Sequence, residues 1–104
     1  MRKLLIALWI SFLPLAGAVH ANEGLFKKNA CVACHSADKK LVGPSYKDVA
    51  AKYKADKEAE ARLIKKVTEG GRGEWGNIIM PPRGGKKDVP DDDIKAMVKY
   101  ILSL

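Results

Sequence analysis

Apolar residues in the chain gather into short stretches with helical period, divided by segments rich in Gly, Pro and Lys. The clearest stretch is Ile94, Met97, Val98, Ile101 and Leu102, whose i, i+3, i+4, i+7, i+8 spacing marks one buried helical face. It starts near Pro90 and Asp91-Asp92-Asp93, a proline suited to a first turn and acids suited to the positive end of the helix dipole. Leu63, Ile64 and Val67 share a face within Ala59 to Glu69, and Gly70-Gly71 ends that helix in the manner of a C-terminal cap. Tyr46 to Lys54 reads as a further helix with Val49 and Tyr53 inward. Glu23 to His35 reads as another, with Leu25 and Phe26 on the side that also carries Cys34 and His35. No strand pattern or internal repeat competes, so the expected fold class is all-α, with about four short helices.

The first 21 residues follow a different pattern: a basic start at Arg2 and Lys3, an apolar run from Leu4 to Ala18, then Val19-His20-Ala21. Small residues stand at both positions that a leader peptidase reads, so residues 1–21 are expected to be a cleaved secretory signal peptide. A retained membrane anchor is the alternative, but the run holds 15 residues, contains Pro14 and Gly17, and falls short of the ~20 needed to cross a bilayer. The expected mature domain is 22–104.

That domain carries 17 Lys+Arg against 12 Asp+Glu, a balance of +5, because Arg2 and Lys3 leave with the leader. Its 83 residues make one small domain with a modest core, a size at which a disulfide, metal or bound cofactor commonly adds stability. Export argues against a nucleic-acid partner for the basic charge. Lysines spread along a chain most often form a solvated surface, and here Lys27, Lys28, Lys39 and Lys40 also flank the chemically distinctive segment.

That segment is Cys31-Val32-Ala33-Cys34-His35, which holds the only cysteines and the only histidine of the mature domain. C-x-x-C-H is the attachment motif of c-type haem. On a helix the two sulfurs project from one face toward the vinyl groups along one porphyrin edge, and His35 points its imidazole under the metal. Other uses of the pair fit less well. A thioredoxin-type dithiol needs a βαβ scaffold for which no strand run exists, and a disulfide is awkward at this spacing inside a helix. Zinc would want a fourth ligand beyond Cys31, Cys34 and His35.

A six-coordinate haem iron needs a ligand on its other face, and the candidates are Met80 and Met97. Met97 lies in the periodic face of the last helix and reads as core. Met80 ends the loop 70–79 and precedes Pro81-Pro82, so its backbone is not helical, and an apolar Met held in a loop suits ligation. Its competing role is to fill a gap beneath that loop. Thioether ligation favours ferrous iron and closes the open site, which argues for electron transfer rather than catalysis.

With these motifs in place the mature chain resembles the small bacterial class I cytochromes c of the cytochrome c-551 type. The phrases that carry the resemblance run in the family's order: Cys31 to His35, Val42-Gly43-Pro44-Ser45-Tyr46-Lys47-Asp48-Val49-Ala50-Ala51-Lys52-Tyr53, and Gly73-Glu74-Trp75-Gly76 through Met80-Pro81-Pro82. The resemblance implies a monomeric periplasmic carrier with one haem c attached through Cys31 and Cys34, axial ligands His35 and Met80, and no enzymatic activity. It also implies that the Pro44 carbonyl takes the Nδ1 proton of His35 and that the Trp75 indole reaches a haem propionate. A plain turn proline and a rim aromatic are the competing roles of those two residues. Its expected partners are periplasmic redox proteins that dock through acidic patches, without stable membrane insertion. The alternative function is a haem-based small-ligand binder or weak peroxidase in which Met80 is displaced.

Three departures from the family stand out. Asn77 and Ile79 replace prolines common before the ligand methionine, and Lys66 stands where an arginine often approaches a propionate. The stretch Arg83 to Val89 is longer than usual and reads as a mobile basic surface loop.

Overall fold

The computed structural model describes residues 23–104, and the expected leader lies outside the described residues. Residues 23–28 form α1, followed by a 3-10 turn at Cys31–Ala33; then come α2 (Tyr46–Tyr53) and α3 (Ala59–Glu69). A hairpin of β1 (Gly71–Gly73) and β2 (Gly76–Met80) leads through a second 3-10 turn, Pro82–Gly85, to α4 (Asp91–Leu102).

Each later helix follows from its local sequence. Ser45 caps α2, its Oγ accepting the Asp48 N–H at 3.1 Å, and the helix buries Tyr46, Val49, Ala50 and Tyr53. The α3 helix stops at Gly70, which adopts φ 72° and donates its N–H to the Lys66 carbonyl at 2.7 Å. The α4 helix begins after Pro90 with three acids in its first turn and buries Ile94, Met97 and Val98. These faces meet α1 in one core. Phe26 packs against Tyr46 with ring centroids 4.5 Å apart and against Tyr100 at 5.7 Å, a tilted aromatic cluster that joins three helices.

Three expectations need correction. The helix read across Glu23 to His35 is broken: α1 ends before Asn29, and Ala30 turns the chain through the left-handed region at φ 62°. The haem motif therefore rides on a separate 3-10 turn. The segment around Met80 is a strand paired antiparallel with β1, in register Gly71↔Met80 and Gly73↔Gly76. The periodic reading found no strand because three glycines and the adjacent Ile78-Ile79 carry no alternation. The longer stretch after Pro82 is pinned. Arg83 donates to the Val89 carbonyl and to the Asp91 carboxylate, each at 2.6 Å, and Lys86 reaches the Lys28 carbonyl at 3.0 Å.

Candidate haem site

The segment from Cys34 to Lys47 is fastened by its own backbone. Gly43 N–H donates to the Cys34 carbonyl at 2.8 Å, Tyr46 N–H to Ser36 at 2.9 Å, and Lys47 N–H to Ala37 at 3.1 Å. These bonds bring Pro44 beside the histidine, where its carbonyl lies 2.7 Å from His35 Nδ1. A carbonyl can only accept, so Nδ1 carries a proton, and in the neutral ring the lone pair is then on Nε2. The ring stacks on Tyr46 with centroids 5.7 Å apart, and Gly43 packs so closely that a Cβ there would fall 2.5 Å from His35 Cε1.

His35, Cys31, Cys34 and Met80 all border one cavity of about 310 Å³, with Val49, Leu63, Val67, Ile94, Val98 and Ile101 among its apolar walls. Met97 touches it from within the core and is 3% exposed, whereas Met80 arrives on the hairpin. The cysteines are unpaired, and burial pushes the Cys31 thiol up from its ordinary value, opposite to the activation of a redox dithiol. Among the described residues, no group of three or more His, Cys, Asp and Glu side chains is placed to hold a metal ion, so Cys31, Cys34 and His35 do not converge as zinc ligands. Two thiols, one imidazole nitrogen, one thioether and apolar walls are the donor set that a covalently bound iron porphyrin takes.

The hairpin also brings Trp75 to the same cavity. Trp75 occupies its tip and is 39% exposed, with Lys52 Nζ 4.5 Å from the ring centroid. Lys66 also borders the cavity, and its ammonium lies 3.8 Å from Glu74 Oε1. Sequence reasoning missed Glu74, Lys52 and Tyr53 as a group. Tyr53 Oη donates to Glu74 Oε2 at 2.8 Å, and burial together with that carboxylate pushes the phenol up to about 12. No local signal announces contacts that span 21 or 22 residues.

A C-x-x-C-H turn and a methionine hairpin on one apolar cavity define a c-type haem domain, and comparison with known proteins agrees. The family model for cytochrome c matches residues 21–104. The chain is 47% identical to cytochrome c-551 of Allochromatium vinosum over 92 residues, covering 88% of this chain and 95% of that protein. It is 41% identical to cytochrome c-552 of Hydrogenobacter thermophilus over 104 residues, spanning 100% of this chain and 99% of that one. The crystal structure of wild-type cytochrome c552 from Nitrosomonas europaea matches with a TM-score of 0.72 at 45% identity, covering 79% of this chain and 98% of that chain. The chain belongs to the cytochrome c family, and its cofactor is one covalently bound haem c.

Proposed function

We propose that this protein is a periplasmic electron carrier whose haem iron is held by His35 and Met80, and that it does not itself transform a substrate. The observation that carries the reading is the His35–Pro44 bond beside a cavity that Met80 also borders. The haem supplies one-electron exchange, and the protein's part is to fix the ligands and exclude water. Pro44 holds the imidazole in one tautomer and strengthens it as a donor through Nε2. Met80 supplies a soft thioether that favours ferrous iron and occupies the position a substrate would need. Trp75, amphipathic and at the rim, is the donor for a propionate.

Passage through the periplasm rests on the leader read from residues 1–21. Among the described residues, no helix is long and apolar enough to cross a membrane. The partner is an acidic redox protein met through the exposed lysines near the attachment motif. Lys39 and Lys40 are exposed there, and Lys28 is bridged to Asp93 at 3.5 Å while staying largely in solvent. Attraction of this kind raises the association rate without a tight interface, as a carrier that must leave quickly requires.

Met80→Ala tests the reading. The variant is expected to have a lower reduction potential and to bind carbon monoxide when reduced, whereas Met97→Ala is expected to do neither. A Met80→Ala protein with the parent's potential and no ligand binding overturns His/Met ligation. Carbon monoxide binding by the unaltered protein supports instead a ligand binder or weak peroxidase in which Met80 is displaced.

A further inference from the structure

The tip of the β1–β2 hairpin is gripped by three side chains from two helices, and every one of them meets Glu74. Tyr53 Oη donates to Glu74 Oε2 at 2.8 Å, Lys66 Nζ faces Oε1 at 3.8 Å, and Lys52 Nζ donates to the Glu74 carbonyl at 2.7 Å. The same Lys52 ammonium lies over the ring of Trp75, the next residue. Tyr53 is buried, so its hydroxyl offers a fixed anchor rather than a wandering surface group.

Away from the tip the hairpin faces the cavity rather than the helical core. Ile78 and Ile79 lie outside the helical core and border the haem cavity instead. At the root, Gly70 and Gly71 adopt φ of 72° and 144°, and Gly73 beyond them adopts 108°. Glycine has a broad choice of such conformations, so the root is a pivot unless the far end is held. Met80 pairs with Gly71 beside this root, and its strand runs back to Gly76 near the tip, so whatever holds the tip steadies the strand that ends in Met80.

We propose that Glu74 is a positioning residue: its carboxylate clasps the hairpin tip to α2 and α3, and so sets how firmly Met80 is held over the haem. The inference rests on Met80 being the axial ligand. The clasp makes the population of Met80-detached protein depend on bonds at the tip, remote in sequence from the thioether. An exogenous ligand for ferric iron reads that population, since apparent affinity scales with the competent fraction.

The test is an imidazole titration of the ferric holoprotein, followed by loss of the thioether–iron absorption band, in Glu74→Ala, Glu74→Gln and Tyr53→Phe. Loss of one such bond is worth about a fivefold change in an equilibrium, so Glu74→Ala is expected to bind imidazole about fivefold more tightly. Glu74→Gln keeps an acceptor for Tyr53 but loses the ion pair, and is expected to fall between. Combining Tyr53→Phe with Glu74→Ala is expected to add nothing, because both remove one bond. Glu60→Gln, on the first turn of α3, is the control and is expected to match the parent. A lower melting temperature with unchanged imidazole affinity would reduce Glu74 to a structural role and overturn the proposal. Additive effects of Glu74→Ala and Tyr53→Phe would overturn it too. If Glu74→Ala fails to fold, the remaining two variants still decide the point. Failure of the ligation reading is seen separately, as a Met80→Ala protein that titrates like the parent. In that case hydrogen exchange of the Gly71–Met80 amides, expected to quicken in Glu74→Ala, still shows whether the clasp exists.

Discussion

From Cys34 to Lys47 the chain is tied by successive backbone hydrogen bonds, whereas from Gly70 to Met80 it is attached at a root and a tip, with apolar residues that border the cavity between. The histidine bank of the cavity is thus rigid by construction, since each bond closes a short loop at little entropic cost. The methionine bank depends on side chains at its tip, two of which, Lys52 and Tyr53, lie 22 and 21 residues away. His35 is fixed where the chain turns, and Met80 is carried on a hairpin held by side chains at its tip. Substitutions that act on one bank and spare the other are the sharpest test of this contrast.

The largest effect is expected from removing what the two banks share. A Cys31→Ala, Cys34→Ala chain without haem leaves the cavity of about 310 Å³ unfilled, which at ~24 cal/mol per Å³ amounts to at most roughly 7 kcal/mol. That is comparable to the whole stability of a small domain, so this chain is expected to lack cooperative melting followed by circular dichroism. Native-like cooperative melting would show that the banks stand without the cofactor.

Gly43→Ala comes next. A Cβ 2.5 Å from His35 Cε1 and 2.9 Å from Nδ1 must displace the ring or the loop, an overpacking cost of about 2–3 kcal/mol in denaturant unfolding. Access of imidazole to the iron from the Met80 side is expected to change little. Gly70→Ala reverses the pattern. Its Cβ would fall 2.5 Å from the Met80 carbonyl at φ 72°, costing about 1–2 kcal/mol and raising imidazole affinity by moving Met80. Equal effects of both glycine variants on imidazole binding would erase the distinction between the banks.

The smallest expected effect is a gain. Ala30 holds φ 62°, a conformation that costs an L-residue roughly 1–2 kcal/mol, while glycine's extra unfolded freedom returns about 0.4–1. Ala30→Gly is therefore expected to stabilise the holoprotein by about 0.5 kcal/mol, read as a higher denaturation midpoint.

That alanine also shows where sequence reading stops. The helices α3 and α4 were legible because apolar period, caps and terminal charges agree over 11 and 12 residues. The break after α1 was not, since a glycine at position 30 signals a left-handed turn and an alanine does not. The attachment motif was plain, and the approach of Pro44 to His35 followed from resemblance to a family rather than from any periodicity. The hairpin escaped because its glycines suppress alternation, and its isoleucines mimic a loop. Arg83 was read as part of a mobile basic surface loop, yet it finds Val89 and Asp91 within eight residues, from a backbone whose φ of 54° a sequence does not announce.

One contact bears on timing. Asn29, 1% exposed, donates its amide to Asp93 at 3.2 Å, a bond between residues 64 positions apart. It holds the end of α1 next to the turn that presents Cys31. In a chain that emerges N-terminus first, the cysteines appear long before Asp93 does. The bond that fixes the end of α1 beside the attachment turn therefore forms only once the first turn of the last helix has arrived.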